Sequence, residues 1–129
     1  NDSVMWMADR MRAQPSTKAW GRLSVMVQLF AEVESLFDVP PSSFVPPPKV
    51  DSAVVRIQPR AELNLPARLT TLDRVLKQAF SARRKRLSNA LKTLNIDWSA
   101  VEAEPQWRAD DVGVAEFLQI AQWVDEHAS

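Results

Sequence analysis

EVESLFDVPPSSFVPPPKVDSAVVRI, residues Glu32 to Ile57, is the stretch whose reading decides the fold. Val33, Ser35, Phe37 and Val39 alternate with Glu34, Leu36 and Asp38, so a strand with one buried face is expected over Glu32 to Val39. Five prolines then fall within the nine residues Pro40 to Pro48. Each removes a backbone donor and fixes φ, so an extended, rigid loop is expected there. Val50 to Ile57 reads as a second strand, with Val50, Ser52, Val54 and Arg56 on one face and Asp51, Ala53, Val55 and Ile57 on the other. Pro59 ends it. Strand, stiff loop and strand make most simply an antiparallel pair at a sheet edge.

Outward from this unit the chain reads as helix. Before it, Ser3 to Gln14 carries Val4, Met7, Ala8 and Met11 at helical spacing, and Gln14-Pro15-Ser16-Thr17 breaks the pattern. A second helix is expected from about Trp20 to Phe30, through Leu23 and Val27. After it, Leu72, Val75, Leu76, Ala79 and Phe80 form an apolar stripe. Continuing that stripe would bury Arg83, so a break is expected near Ser81, with Ser81 as N-cap of a new helix carrying Leu87, Leu91 and Leu94. Asn95-Ile96-Asp97 ends that helix, and Trp98 to Trp107, with Pro105, connects to a last helix over Gly113 to Glu126. There Val114, Phe117, Leu118, Ala121 and Val124 face inward, and Glu116 sits in the first turn, where the dipole favours it. The expected fold class is mostly α with a two-stranded antiparallel β element. The division falls near Pro59 to Pro66, giving a sheet-associated part, 1–59, and a helical part, 60–129.

Composition narrows the function. The chain has 129 residues, 46% of them apolar and 25% charged, enough for a globular core. No apolar run approaches the roughly 20 residues of a membrane span, and no signal pattern opens the chain, so no membrane partner and a cytoplasmic location are expected. Cysteine is absent, which excludes a disulfide framework and a thiol nucleophile. The one histidine, His127, lies near the end of the sequence, and no His/Asp/Glu spacing suggests a metal site. The two glycines, Gly21 and Gly113, make no Gly-rich phosphate loop. No catalytic residue is therefore assigned within these residues. The opening residues read as the middle of a protein, and a fragment is expected.

Net charge is zero, yet the charges are segregated. Asp73 to Lys92 holds seven basic residues (Arg74, Lys77, Arg83, Arg84, Lys85, Arg86, Lys92) against one acid; Thr93 to Ser129 holds eight acids against Arg108. Such a split makes a local field that net charge conceals. Arg83-Arg84-Lys85-Arg86 is either a solvated face or an anion site. Cations in a helix's first turn oppose the dipole by roughly 0.3–1 kcal/mol, a cost that a bound phosphate would offset. Phe44 also has two readings. It is either a core plug on a stiffened connection or a ring held at a site edge to stack on a base, an interaction worth roughly 1–3 kcal/mol.

Three segments then make a resemblance. Phe44-Val45-Pro46-Pro47-Pro48-Lys49-Val50-Asp51-Ser52 resembles the F-x-P-P-P-K-V-D-S motif of the ribosomal RNA adenine dimethyltransferases. Trp20-Gly21-Arg22-Leu23-Ser24-Val25-Met26 is similar to the Y-G-R-L-S-V-M stretch upstream of it, with Trp for the usual Tyr. Ala79 to Leu91 resembles the family's A-F-x-x-R-R-K-x-x-x-N-x-L helix. Order and distances match over about Asp9 to Glu126. The triple proline and the Arg83-Arg84-Lys85 segment resemble the small-subunit branch of the family, over the branch that confers resistance by modifying large-subunit RNA. Asp2-Ser3-Val4-Met5-Trp6 departs from the family's M-L-Q-K-E.

The resemblance implies the C-terminal edge of a Rossmann-like methyltransferase domain followed by a small helical RNA-binding domain. It implies transfer of methyl groups from S-adenosylmethionine to N6 of two adjacent adenines near the 3′ end of small-subunit (16S) ribosomal RNA, without a metal. The exocyclic amine is a weak nucleophile, so holding the flipped base against the methyl group carries much of the chemistry. Phe44 matches the aromatic residue that stacks on the target adenine, and Arg83, Arg84, Lys85 and Arg86 match an RNA-binding segment. Arg22 and Lys49 fall in matched motifs as candidate site-edge residues. The family's glycine loop, acidic ribose ligand and N-L-P-Y motif do not occur in these residues, so the chain alone is expected neither to bind S-adenosylmethionine well nor to catalyse. A non-catalytic ribosome-assembly module and a large-subunit resistance-type methyltransferase are the alternatives.

Overall fold

The structure, a computed structural model, describes residues 8–39, 52–61 and 65–127. Helix α1 occupies residues 8–12, α2 Arg22–Phe30, strand β1 Ala31–Val39 and strand β2 Ser52–Pro59. Then come α3, Leu69–Ser81, the short α4, Leu87–Ala90, and α5, Val114–His127, with single 3-10 turns at Lys92–Leu94, Trp98–Ala100 and Ala109–Asp111. Val4, Met7, the loop Pro40 to Pro48, Val50 and Asp51 lie outside the described residues.

The strands pair antiparallel, as expected, from Ala31 opposite Pro59 to Val39 opposite Ser52. The register steps between Ser35 and Phe37, which pair with Val55 and Val54, leaving Leu36 as an extra residue. Strict alternation through 33–39 is therefore interrupted, because a bulge puts two residues of one strand against one of the other. Pro59 ends β2 in the terminal pair of a two-stranded ribbon, where its missing N–H costs no ladder hydrogen bond. Arg60 continues past it, its N–H donating to the Phe30 carbonyl at 2.9 Å, while its guanidinium Nη2 and Nε reach the Gln28 carbonyl at 2.9 and 3.2 Å. An orphan carbonyl in the last turn of α2 is thereby satisfied from the end of β2. Gln28 serves α1 the same way, its amide donating to the carbonyls of Met11 at 3.0 Å and Ala13 at 2.7 Å. This is why α1 stops short of Gln14, whose neighbour Pro15 disfavours helix in any case.

The core is made by helices that precede and follow the ribbon in the chain. Leu72, Val75, Leu76 and Ala79 of α3 are buried against Phe117, Ile120, Ala121 and Val124 of α5. Trp20, Val25 and Leu29, from the chain before the ribbon, belong to the same cluster. The Trp20 indole N–H donates to the Val112 carbonyl at 2.9 Å, fixing the entry to α2 on the loop before α5. Ser24 is the one buried polar side chain among the described residues; its Oγ accepts from Gly21 N at 3.1 Å and donates to the Ala19 carbonyl at 3.3 Å. α3 has no cap from its own sequence. Asp125 of α5 supplies one, accepting from Arg68 N at 2.6 Å and Thr71 Oγ at 2.5 Å. These two hydrogen bonds, the Thr71 one first, hold the Asp125 carboxyl below its ordinary range.

Ser81 is not the N-cap of a new helix. It is the last residue of α3, and its Oγ donates back to the Gln78 carbonyl at 3.0 Å. Residues 82–85 form a turn, and α4 begins only at Leu87. Its first N–H groups are satisfied from a distance, Leu87 N by the Trp107 carbonyl at 2.7 Å and Ser88 N by the Pro105 carbonyl at 3.0 Å. Burying Leu87 and Leu91 in the core sets this later start. Asn95, in the left-handed region at φ 52°, stops the 3-10 turn that follows. Among the described residues no helix is long and apolar enough to cross a membrane.

Candidate nucleic-acid interface

Arg83, Arg84, Lys85 and Arg86 lie on the turn between α3 and α4, not in the first turn of a helix. The dipole conflict inferred from sequence is therefore absent, and the case for an anion rests on exposure and pairing. Arg84, Lys85 and Arg86 are exposed, and none forms an ion pair among the described residues. Three cations held a residue apart without counter-charge repel one another, and an anion relieves that repulsion.

The structure adds a cation from far along the chain. Arg86 and Arg108 form an antiparallel bridge, and the Arg108 Nε donates to the Arg84 carbonyl at 2.8 Å. Arg108 is exposed beside the basic turn and, with Arg83, Arg84 and Asp110, lines an open cleft of 400 Å³. A second cleft of 280 Å³ joins Arg108 and Asp110 to Ser16, Thr17, Lys18 and Asp111. Ser16 is pinned there at φ 67°, its N–H donating to the Asp110 carbonyl at 2.7 Å and its Oγ to Asp111 at 3.0 Å. Arg108 and Lys18 were missed by sequence reasoning. The one signal for Arg108 is that it is the lone cation of an acidic segment; Lys18 carries none.

The remaining candidates separate. Arg22 opens α2, and its Nη2 and Nε donate to Asp73 of α3 at 2.7 and 3.1 Å. Lys77 holds the other oxygen of Asp73 at 3.0 Å. Lys77 first, and then Arg22, keep the Asp73 carboxyl below its usual range. Arg22 thus bridges α2 to α3. Phe44 and Lys49 lie outside the described residues, in the segment joining the paired ends Val39 and Ser52. The His127 ring stacks on Trp123, centroids 4.2 Å apart, with Nδ1 2.8 Å from the Trp123 carbonyl. Among the described residues no group of three or more His, Asp or Glu could hold a metal ion.

Comparison with known proteins bears on this arrangement. The family model described as ribosomal RNA adenine dimethylase matches residues 2–126. The ribosomal RNA small subunit methyltransferase A of Vibrio atlanticus is 44% identical over 126 residues, covering 94% of this chain and 46% of the relative. The protein of the same name from Salmonella newport is 42% identical over 125 residues, covering 95% and 46%. The chain thus spans about half the length of the curated relatives it matches. A dimethyladenosine transferase from Plasmodium falciparum superposes with a TM-score of 0.71 at 26% identity, over 89% of this chain and 52% of that one. The 23S rRNA methyltransferase ErmE shares the fold, with a TM-score of 0.62 over 82% of this chain and 46% of its own, at 24% identity. With the family model spanning nearly every residue and relatives above 40% identity along most of its length, the chain belongs to the ribosomal RNA adenine dimethylase family.

Proposed function

We propose that this chain is the RNA-contacting portion of an S-adenosylmethionine-dependent adenine N6-dimethyltransferase acting on small-subunit (16S) ribosomal RNA in the cytoplasm. The observation that carries the reading is the surface of Arg84, Lys85 and Arg86, exposed without ion-pair partners among the described residues and joined by Arg108 across a backbone bridge. Guanidinium forks suit phosphate oxygens, and a fixed backbone lowers the ordering cost of binding. The names of the two bacterial relatives support the small subunit as the target.

In this reading residues 1–59 complete a Rossmann-like methyltransferase domain and residues 60–129 form the helical domain. The two-stranded ribbon supports it: β1 and β2 alone are too small a sheet to be stable in isolation, and Phe30 and Ile57 stand 36% and 49% exposed beside them. Further elements packed on the ribbon would cover them. The shared core of Trp20, Val25 and Leu29 with α3 and α5 then holds the two parts in a fixed relation. Phe44 stacks on the flipped adenine, with Lys49 at the site edge. S-adenosylmethionine is held by residues outside this chain, and the 129 residues alone do not catalyse. Arg22 acts through its bridge to Asp73.

The test is a comparison of particles. The chain should bind immature small ribosomal subunits more tightly than large subunits at the same salt concentration. Equal affinity would leave only charge-driven, non-specific binding, and preference for the large subunit would favour the resistance-type branch.

A further inference from the structure

One member of the basic turn faces the protein. The Arg83 side chain is 37% exposed, and its guanidinium already has partners. Nη2 donates to the Trp20 carbonyl and, at 2.6 Å, to Asp110 Oδ1, while Nε donates to the same oxygen at 3.0 Å. Its Cζ lies 5.4 Å from the centroid of the Phe80 ring. These contacts tie together three separate pieces of chain: the entry to α2, the 109–111 turn and the end of α3.

We infer that Arg83 is a positioning residue, which locks the basic turn to the start of α2 and leaves phosphate contact to Arg84, Lys85 and Arg86; the inference rests on the RNA-contact reading above. A phosphate drawing on the Arg83 fork would face the Asp110 carboxylate at hydrogen-bond distance from the same nitrogens, a like-charge encounter. Turning the fork outward would strip Asp110 of its ion-pair partner and the Trp20 carbonyl of a donor. The packing also suits a resident guanidinium. A Cβ built on Gly21 would lie 4.0 Å from Arg83 Nη2 and 3.6 Å from Arg10 Nη1, and Arg10 caps the neighbouring Ala19 carbonyl at 3.1 Å. Two guanidinium groups therefore cover the backbone at Ala19 to Gly21. Beyond the anchor, the Arg84 carbonyl is placed where Arg108 reaches it, and the three exposed cations keep one spacing. An unanchored turn would have to be ordered at binding, which lowers affinity without removing a phosphate contact.

The experiment measures binding of a full-length protein containing this sequence to immature small subunits at several salt concentrations, with a melting curve for each variant. Arg84→Gln and Lys85→Gln should each weaken binding and flatten the log–log salt slope by somewhat under one unit, about 0.7 where the contact is to a single strand. Arg83→Gln should weaken binding several-fold with the slope unchanged, giving a parallel line. Arg83→Lys, which keeps the charge but loses the fork, should show the same parallel loss. Asp110→Asn removes a negative charge from the surface and would tighten binding by electrostatics alone; the inference predicts weaker binding. A slope change for Arg83→Gln matching that of Arg84→Gln would overturn the inference, as would unchanged affinity in Arg83→Gln and Asp110→Asn. Should Arg83→Gln fail to fold, Arg83→Lys and Asp110→Asn decide the matter. Unchanged lines for both Arg84→Gln and Lys85→Gln would overturn the RNA reading itself, and the inference with it.

Discussion

Replacing Trp20 by Phe tests how the entry to α2 is fastened to the helical core. Trp20 is 1% exposed and is the largest of the fully buried side chains among the described residues. Its indole N–H donates to the Val112 carbonyl at 2.9 Å, and Val112 is itself fully buried. Phe keeps an aromatic ring but loses the donor and part of the ring volume. An acceptor left unpaired in the core costs about 1–3 kcal/mol. The missing ring portion resembles the loss of one or two buried methylenes, ~1 kcal/mol. The expected destabilisation is thus about 2–4 kcal/mol. For 129 residues the unfolding entropy is ~270 cal/mol/K, so Tm should fall by about 7–15 °C. Thermal unfolding followed by circular dichroism measures the shift, and urea unfolding should show an unchanged slope with a lower midpoint. A drop below about 2 °C would refute the reasoning, because Val112 would then have no need of the indole.

Other perturbations have defined outcomes. Asp125 caps α3 from α5 with a lowered carboxyl pKa, so its stabilisation is full above the ordinary Asp range and is lost as pH falls through the lower folded value. Asp125→Asn should therefore lower Tm at neutral pH, with the gap from wild type closing at acid pH; a gap constant with pH would contradict the assignment. Calorimetry of the 129-residue chain with S-adenosylmethionine should show no binding up to millimolar ligand, and micromolar binding would refute the placement of the cofactor site elsewhere. In a full-length protein containing this sequence, Phe44→Ala should reduce methyl transfer by orders of magnitude at little cost in Tm; unfolding instead would make Phe44 a core plug.

Much of this architecture can be read from local pattern. The stripes of α3 and α5 and the strand, proline loop and strand unit depend on side chains a few residues apart, and periodicity reports them directly. What escapes is set by distant partners. Ser81 has every local mark of an N-cap, yet the N–H groups of α4 are taken by the carbonyls of Trp107 and Pro105, some twenty residues downstream. The apolar spacing of α5 points to Phe117, Ala121 and Val124 but not to Ile120, which is buried with them. The step at Leu36 follows from the cross-strand register, which neither strand encodes alone. The basic surface divides similarly. The run Arg83 to Arg86 is conspicuous in the sequence, but that Arg83 binds Asp110 while Arg108 joins the outer cations depends on the fold.

The central claim is that the turn after α3 meets RNA phosphates, and the variant Arg84→Glu/Lys85→Glu/Arg86→Glu tests it most directly. All three side chains are exposed, so Tm should barely change. Affinity for immature small subunits should collapse, and the salt slope should flatten by about two to three units, close to one for each lost phosphate contact. Wild-type and variant lines of equal height and slope across the salt series would contradict the account.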